Sequence, residues 1–246
     1  MIAFKMEKVI AILLVLFVYS FGFSQDINQF DENGKRHGVW KKTFKNTNVL
    51  RYEGEFLHGK EIGVFKFYKN IRKKAVLTAT RTFNENDNKT YVKFFASRGK
   101  VISEGKMDGK LYMGEWKYYQ KNSDKLLILE NYNDKGNLEG ERHVYYPNGQ
   151  VAEKQNYVDG KLEGISTWYA SNDVVLKTYV YVNGELHGES KFYNSMGDLI
   201  TEGRYKHGKK HGIWKYYENG KLKDEKNFSP EGKYKKKTLT KKAPKK

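Results

Sequence analysis

Aromatic and β-branched residues fall along this chain in short runs, and nearly every run stops at a glycine. Runs of that length rich in Tyr, Phe, Trp and Val predict strands, because such side chains suit a pleated, half-covered surface; helices are not expected. The runs come in pairs. A unit opens at a glycine, passes through an aromatic stretch, turns, and returns through a second stretch that ends in an aromatic. Clear copies are Gly140-Glu-Arg-His-Val-Tyr-Tyr-Pro-Asn-Gly149, Gly188-Glu-Ser-Lys-Phe-Tyr193 and Gly212-Ile-Trp-Lys-Tyr-Tyr-Glu-Asn-Gly220. Further units open at Gly38, Gly63, Gly114 and Gly164, and a degenerate one near Asn88. Starts at 38, 63, 88, 114, 140, 164, 188 and 212 lie 24 to 26 residues apart, the regularity of an array.

Asn148-Gly149 and Asn219-Gly220 suit tight hairpin tips, whose central residues need positive φ. Units are linked by Gly-x-x-x-Gly at 34/38, 59/63, 136/140, 160/164, 184/188 and 208/212, with one extra residue at 109/114, and this spacing is read as marking turns. The prediction is all-β: about eight hairpins in one elongated, twisted, open antiparallel meander of about 16 strands, roughly 70 Å long at about 4.8 Å per strand. One unit cannot bury its own aromatics, so Trp40, Trp116, Trp168 and Trp214 are expected to stack with neighbours along one face. The stretch from Ile71 to Asn88 lacks glycine turns, which leaves a long hairpin, an insertion and a break in the array equally open.

The pattern Gly212-Ile-Trp-Lys-Tyr-Tyr-Glu-Asn-Gly-Lys-Leu222, with its copies, resembles the MORN-repeat variant of many bacterial proteins, including the group labelled YwqK-family antitoxins. The resemblance covers nearly all of residues 33 to 232. It implies hairpin units in a single elongated sheet, with roles in scaffolding, membrane association or partner binding.

Charge adds less than its total suggests. Of the formal +17, the segment from Lys233 to Lys246 carries +8 in eight lysines without an acid, and Lys5, Lys8 and Glu7 contribute +1, so residues 9 to 232 hold only +8. Nucleic acid is therefore not the expected partner. The tail, with Pro244, is expected to be disordered. Its Lys235, Lys236, Lys237, Lys241, Lys242, Lys245 and Lys246 could tether the protein to anionic lipid or lipopolysaccharide, each lysine near such a surface being worth about 1 kcal/mol.

Residues 1–24 read as an export signal, with Lys5 and Lys8 before the apolar run Val9 to Phe23 and small residues at Gly22 and Ser24; Met6 offers a second start. The array then occupies 25–232 and the tail 233–246. The chain has no cysteine, which excludes disulfides, thiolate metal sites and lipidation at the signal boundary.

Candidate chemistry is periodic rather than convergent. His37, His187 and His211 precede unit-opening glycines, His58 and His207 precede linking-turn glycines, and His143 stands alone; no metal-ligand spacing joins them. Gly54 to Glu61 and Gly203 to Lys210 mimic a phosphate loop but lack its Ser or Thr and open onto no predicted helix. Glu53, Glu104, Glu130, Glu153, Glu202 and Glu225 recur on second strands and read as a ladder on an outer face. No catalytic residue, metal or cofactor is expected. The expected function is that of an exported (periplasmic or secreted), non-enzymatic scaffold binding a protein or glycan partner through its sheet. An antitoxin-like inhibitor is the alternative, and a glycan hydrolase would require a cleft holding two carboxylates.

Overall fold

The structure, a computed structural model, describes residues 26–229. The signal segment and the lysine tail, including Lys235 to Lys246, lie outside the described residues. Every described element is a strand, and all nineteen join one open antiparallel sheet. Sixteen strands make eight consecutive hairpins. The first four pair Arg36–Thr43 with Leu50–Leu57, Lys60–Ile71 with Lys74–Phe83, Lys89–Phe95 with Val101–Asp108, and Leu111–Tyr119 with Leu126–Tyr132. The last four pair Gly140–Tyr145 with Val151–Val158, Gly164–Tyr169 with Val175–Val182, Gly188–Tyr193 with Leu199–Lys206, and Lys209–Glu218 with Lys221–Asn227. The other three strands are two-residue pieces: Gln29–Phe30 on the first edge, and Lys161–Leu162 and Glu185–Leu186, which lead into the sixth and seventh hairpins. Among the described residues no helix is long and apolar enough to cross a membrane.

The glycine pairs do two different jobs. The first glycine of a pair makes the turn, as in His58-Gly59 (φ 49° and 88°) and His207-Gly208 (49° and 72°). The second, expected to mark a turn as well, instead sits inside the ladder at a bulge: register slips between Glu53 and Glu55 opposite Gly63, and between Glu202 and Arg204 opposite Gly212. Three residues (Gly63 to Phe65, Gly212 to Trp214) there face one (Gly54, Gly203), and left-handed backbone (φ 63° at Gly63, 66° at Gly212) accommodates the excess. Asn219-Gly220 forms the expected two-residue tip, with both φ positive. Asn148-Gly149 does not: Gly149 closes a three-residue loop in which Gly149 donates to the Tyr146 carbonyl and Tyr146 donates to that of Gln150.

The glycine-poor stretch is a long hairpin. Its tip is Arg72-Lys73, both at positive φ (51° and 62°) without any glycine. The degenerate third opening is a loop rather than a glycine turn; there the Asn84 side chain accepts from the amides of Asn86 and Asp87 and donates to Asp87 and to the Lys89 carbonyl.

Cross-strand partners share a face, so the register assigns every side chain. One face carries the buried aromatics. Trp40, Phe56 and Phe65 form one buried cluster, and Val92, Met107 and Trp116 another. A third aromatic group surrounds buried Trp214 with Phe192, Tyr205 and Phe228. The tryptophans do not form one stack, and Trp168 corrects the expectation further. It lies two residues beyond the position held by Trp40, Trp116 and Trp214 in their units, remains half-buried, and packs edge-on against Tyr179.

Candidate functional site

Three hairpin junctions share one construction. Gly54, Gly105 and Gly203, in second strands, lie beneath the rings of Phe65, Trp116 and Trp214 from the following unit; a Cβ there would come within 2.4, 2.5 and 2.2 Å of those rings. Trp116 Nε1 donates to the Lys106 carbonyl at 2.9 Å and Trp214 Nε1 to that of Arg204 at 3.1 Å. Each of these glycines follows a glutamate whose side chain points to the opposite face. The hydroxyls of Tyr68 and Tyr217 donate to Glu53 and Glu202 at 2.7 Å, and Tyr119 donates to Glu104 in the same way. A Glu-Gly pair on one unit is thus clamped by an aromatic-x-x-Tyr on the next, with the ring on one face and the hydroxyl on the other.

Between these clamps the same row is polar. Glu130 and Gln155 are buried, joined by Arg142, which donates to both at 3.2 and 3.3 Å. Ser166 and Ser190 are 1 % exposed, and their hydroxyls have no partner.

The opposite face carries a row that is continuous in register and densely charged towards both ends, with Leu129, Thr167 and Thr178 in its middle. One in-register row runs from Lys41 through Glu53, Lys66, Thr80, Lys93, Glu104 and Lys117 to Leu129. It continues through His143, Lys154, Thr167, Thr178, Lys191, Glu202 and Lys215 to Glu225. Lysine–glutamate pairs close at 3.4 Å (Lys66–Glu53), 3.1 Å (Lys93–Glu104) and 3.7 Å (Lys215–Glu202). Beside this row Val64, Ile165 and Ile213 are 52, 64 and 56 % exposed.

The expected glutamate ladder therefore splits. Glu53, Glu104, Glu202 and Glu225 lie in the charged row, whereas Glu130, opposite Trp116, and Glu153, opposite Trp168, belong to the aromatic face. The Tyr68 hydroxyl bond, then the lysines, hold the Glu53 carboxyl below its usual range. Burial pushes Glu104 up, but bonds from Tyr119 and Lys93 outweigh it and the carboxyl is lowered. Tyr68 is pushed up to about 12 by burial and by Glu53, and Tyr217 to about 12, chiefly by its bond to Glu202.

Successive linking turns stack on each other, which brings the periodic histidines into pairs. Gly59, Gly160, Gly184 and Gly208 each donate to a carbonyl of the preceding link, those of Arg36, Leu138, Leu162 and Leu186. His37 and His58 consequently lie with ring centroids 5.0 Å apart, and His187 and His207 5.4 Å apart. His58 Nδ1 is 2.8 Å from Asp31, and His207 Nδ1 is 3.3 Å from Glu185. At the positions of His37 and His187, the fifth and sixth units carry Glu139 and Glu163, each accepting from the next turn's backbone amide, at Asp159 and Asn183. Among the described residues no three His, Asp or Glu side chains are placed to hold a metal ion. The two phosphate-loop mimics run strand, turn, strand.

The opening glycines Gly38, Gly63, Gly114, Gly140, Gly164, Gly188 and Gly212 all have positive φ, and the first six face Phe56, Phe83, Tyr132, Tyr157, Tyr181 and Tyr205 at the ends of second strands. Sequence reading missed Gly54, Gly105 and Gly203 and the Arg142 cluster. The signal for the former was present, since Glu53-Gly54, Glu104-Gly105 and Glu202-Gly203 each precede an aromatic-x-x-Tyr in the next unit.

These features define a single-layer β-repeat protein. Residues 138–159 and 210–229, which hold the fifth and eighth hairpins, match the family model described as MORN repeat variant. No curated protein matches the chain. Among solved structures, the chain is similar to a mutant of S. aureus TarM, in complex with Fondaparinux, alpha-GlcNAc-glycerol and UDP, at 15 % identity and a TM-score of 0.26. That likeness covers 51 % of this chain and 19 % of the other, so the chain spans about a fifth of that protein's length, and it carries no argument about fold or function.

Proposed function

We propose that this protein is an exported, non-enzymatic scaffold that binds a protein or glycan partner through the charged face of its sheet. The observation that carries the reading is the unbroken row from Lys41 to Glu225, flanked by exposed Val64, Ile165 and Ile213. The lysines and glutamates held in fixed register at its two ends give a partner orientation and specificity, and apolar side chains beside the row supply area that loses water on contact. The match to the MORN repeat variant supports a scaffold or binding role.

The test uses the intact chain as bait in an envelope extract, beside a variant with Val64, Ile165 and Ile213 all changed to Ser. Recovery of one protein or glycan by the wild type and its loss in the variant is the expected result. Equal recovery by both would remove this face from the proposal. Fractionation of cells producing the tagged chain tests export separately; a purely cytoplasmic product would contradict that part.

A further inference from the structure

Arg204 is unlike its counterparts. In the first hairpin the matching residue is Glu55, opposite Ile62, and in the third it is Lys106, opposite Met113; neither pairs an arginine with an imidazole. Arg204 lies in register between Glu189 on one side and His211 on the other. No ion pair among the described residues uses its guanidinium. Glu202, another nearby acid, is already taken by Tyr217 at 2.7 Å and Lys215 at 3.7 Å.

An open cavity of about 230 Å³ adjoins it, lined by His187, Gly188, Arg204, Tyr205, Lys206 and His211. Every charged or titratable side chain on that list is a base or a phenol. Of the carboxylates nearby, Glu185 is engaged with His207 at 3.3 Å, and Glu189 alone faces Arg204. A guanidinium presents its N–H donors in a rigid fork that fits two oxygens of one anion, and two imidazoles flanking it add directed donors.

We infer that this cavity binds one oxyanion group, a carboxylate or a phosphate ester, with Arg204 as the two-pronged donor and His187 and His211 beside it. The inference rests on the partner-binding reading, to which it assigns one contact of defined chemistry. Carboxylate and phosphate make the same bidentate contact, so the two sources are separated by the probe rather than by the geometry.

The experiment is calorimetric titration of the full chain at constant ionic strength with inorganic phosphate, with glucuronate and with chloride, repeated on Arg204→Gln and Arg204→Lys. Saturable binding of phosphate or glucuronate but not chloride is expected, weakened at least about tenfold in Arg204→Gln, or 1.4 kcal/mol. Arg204→Lys keeps the charge and the stem but loses the fork, so it is expected to weaken binding too, and it serves alone if Arg204→Gln does not fold. Phosphate without glucuronate identifies a phosphate ester, and glucuronate an acidic sugar. No saturable binding of either, or unchanged affinity in a folded variant, overturns the inference. Because small ions are the probes, that outcome leaves the pull-down result standing, and a failed pull-down leaves this one standing.

Discussion

The indole of Trp214 lies directly over Gly203 of the preceding hairpin, so close that a single methyl on that glycine would come within 2.2 Å of the ring. The described residues form a sheet of one layer, and none of them adds a second layer over its aromatics. Trp214 is nonetheless fully buried, because Gly203 lets the ring sink onto the backbone while Lys210 covers it from above at 3.9 Å. The same relationship holds for Trp116 over Gly105, with Tyr112 stacked on the indole at 3.9 Å. Cohesion between units is concentrated at these contacts.

Two glycines nine residues apart should therefore fail for different reasons. Gly203→Ala has no room and must displace Trp214, costing about 1–3 kcal/mol or more. Gly212→Ala meets nothing within 4 Å, but its φ of 66° strains an alanine by about 1–2 kcal/mol. Urea unfolding followed by tryptophan fluorescence separates them. Only Gly203→Ala should red-shift the native emission.

The tip of the second hairpin holds Arg72 and Lys73 at positive φ, where neither is at ease. Replacing the pair by Asn-Gly should stabilise the protein by about 1 kcal/mol, since those residues adopt the turn at least cost. A thermal melt that does not rise would show that tip side chains contribute more than their backbone strain removes.

Ser190 is 1 % exposed with an unpartnered hydroxyl. Ser190→Ala removes a buried polar group that gains nothing, so stability should stay level or rise by up to about 1 kcal/mol. A clear loss in denaturant midpoint would mean the hydroxyl is satisfied in solution.

The tyrosine–glutamate bonds make stability depend on pH at both ends. A phenol whose folded pKa is raised holds its proton more tightly when folded, so its contribution is complete below pH 10 and fades as pH rises through about 12, the value for Tyr68 and Tyr217. Glu53 and Glu104 are lowered from 4.5, so their contribution is present above that pH and fades as pH falls below it. Melting temperature should decline on both flanks. The alkaline decline should be shallower in the Tyr68→Phe, Tyr217→Phe double variant.

Much of this was legible in the sequence: eight hairpins, their period, the opening glycines and the all-strand character of the described residues follow from glycine-bounded aromatic runs. What was not legible has specific causes. A glycine at positive φ serves a turn and a bulge equally, so Gly59 and Gly63 look alike until the register is known. Arg72-Lys73 runs against turn preference and is imposed by the long pairing of Lys60–Ile71 with Lys74–Phe83. Glu130 and Glu153 stand two and four residues before Tyr132 and Tyr157, which face their opening glycines, whereas Glu53 and Glu202 stand three before Phe56 and Tyr205; that change of parity puts them on the other face. The Glu-Gly pairs could have been noticed, but their meaning lies in the next unit, about ten residues away across a turn.

Amide hydrogen exchange on Trp116→Ala tests most directly whether each hairpin is held by its neighbours. Protection should fall in the third and fourth hairpins, Lys89 to Tyr132, while the first and eighth, Arg36 to Leu57 and Lys209 to Asn227, keep theirs. Uniform loss across all eight, or loss confined to the hairpin that carries the substitution, would contradict a sheet built from nearest-neighbour clamps.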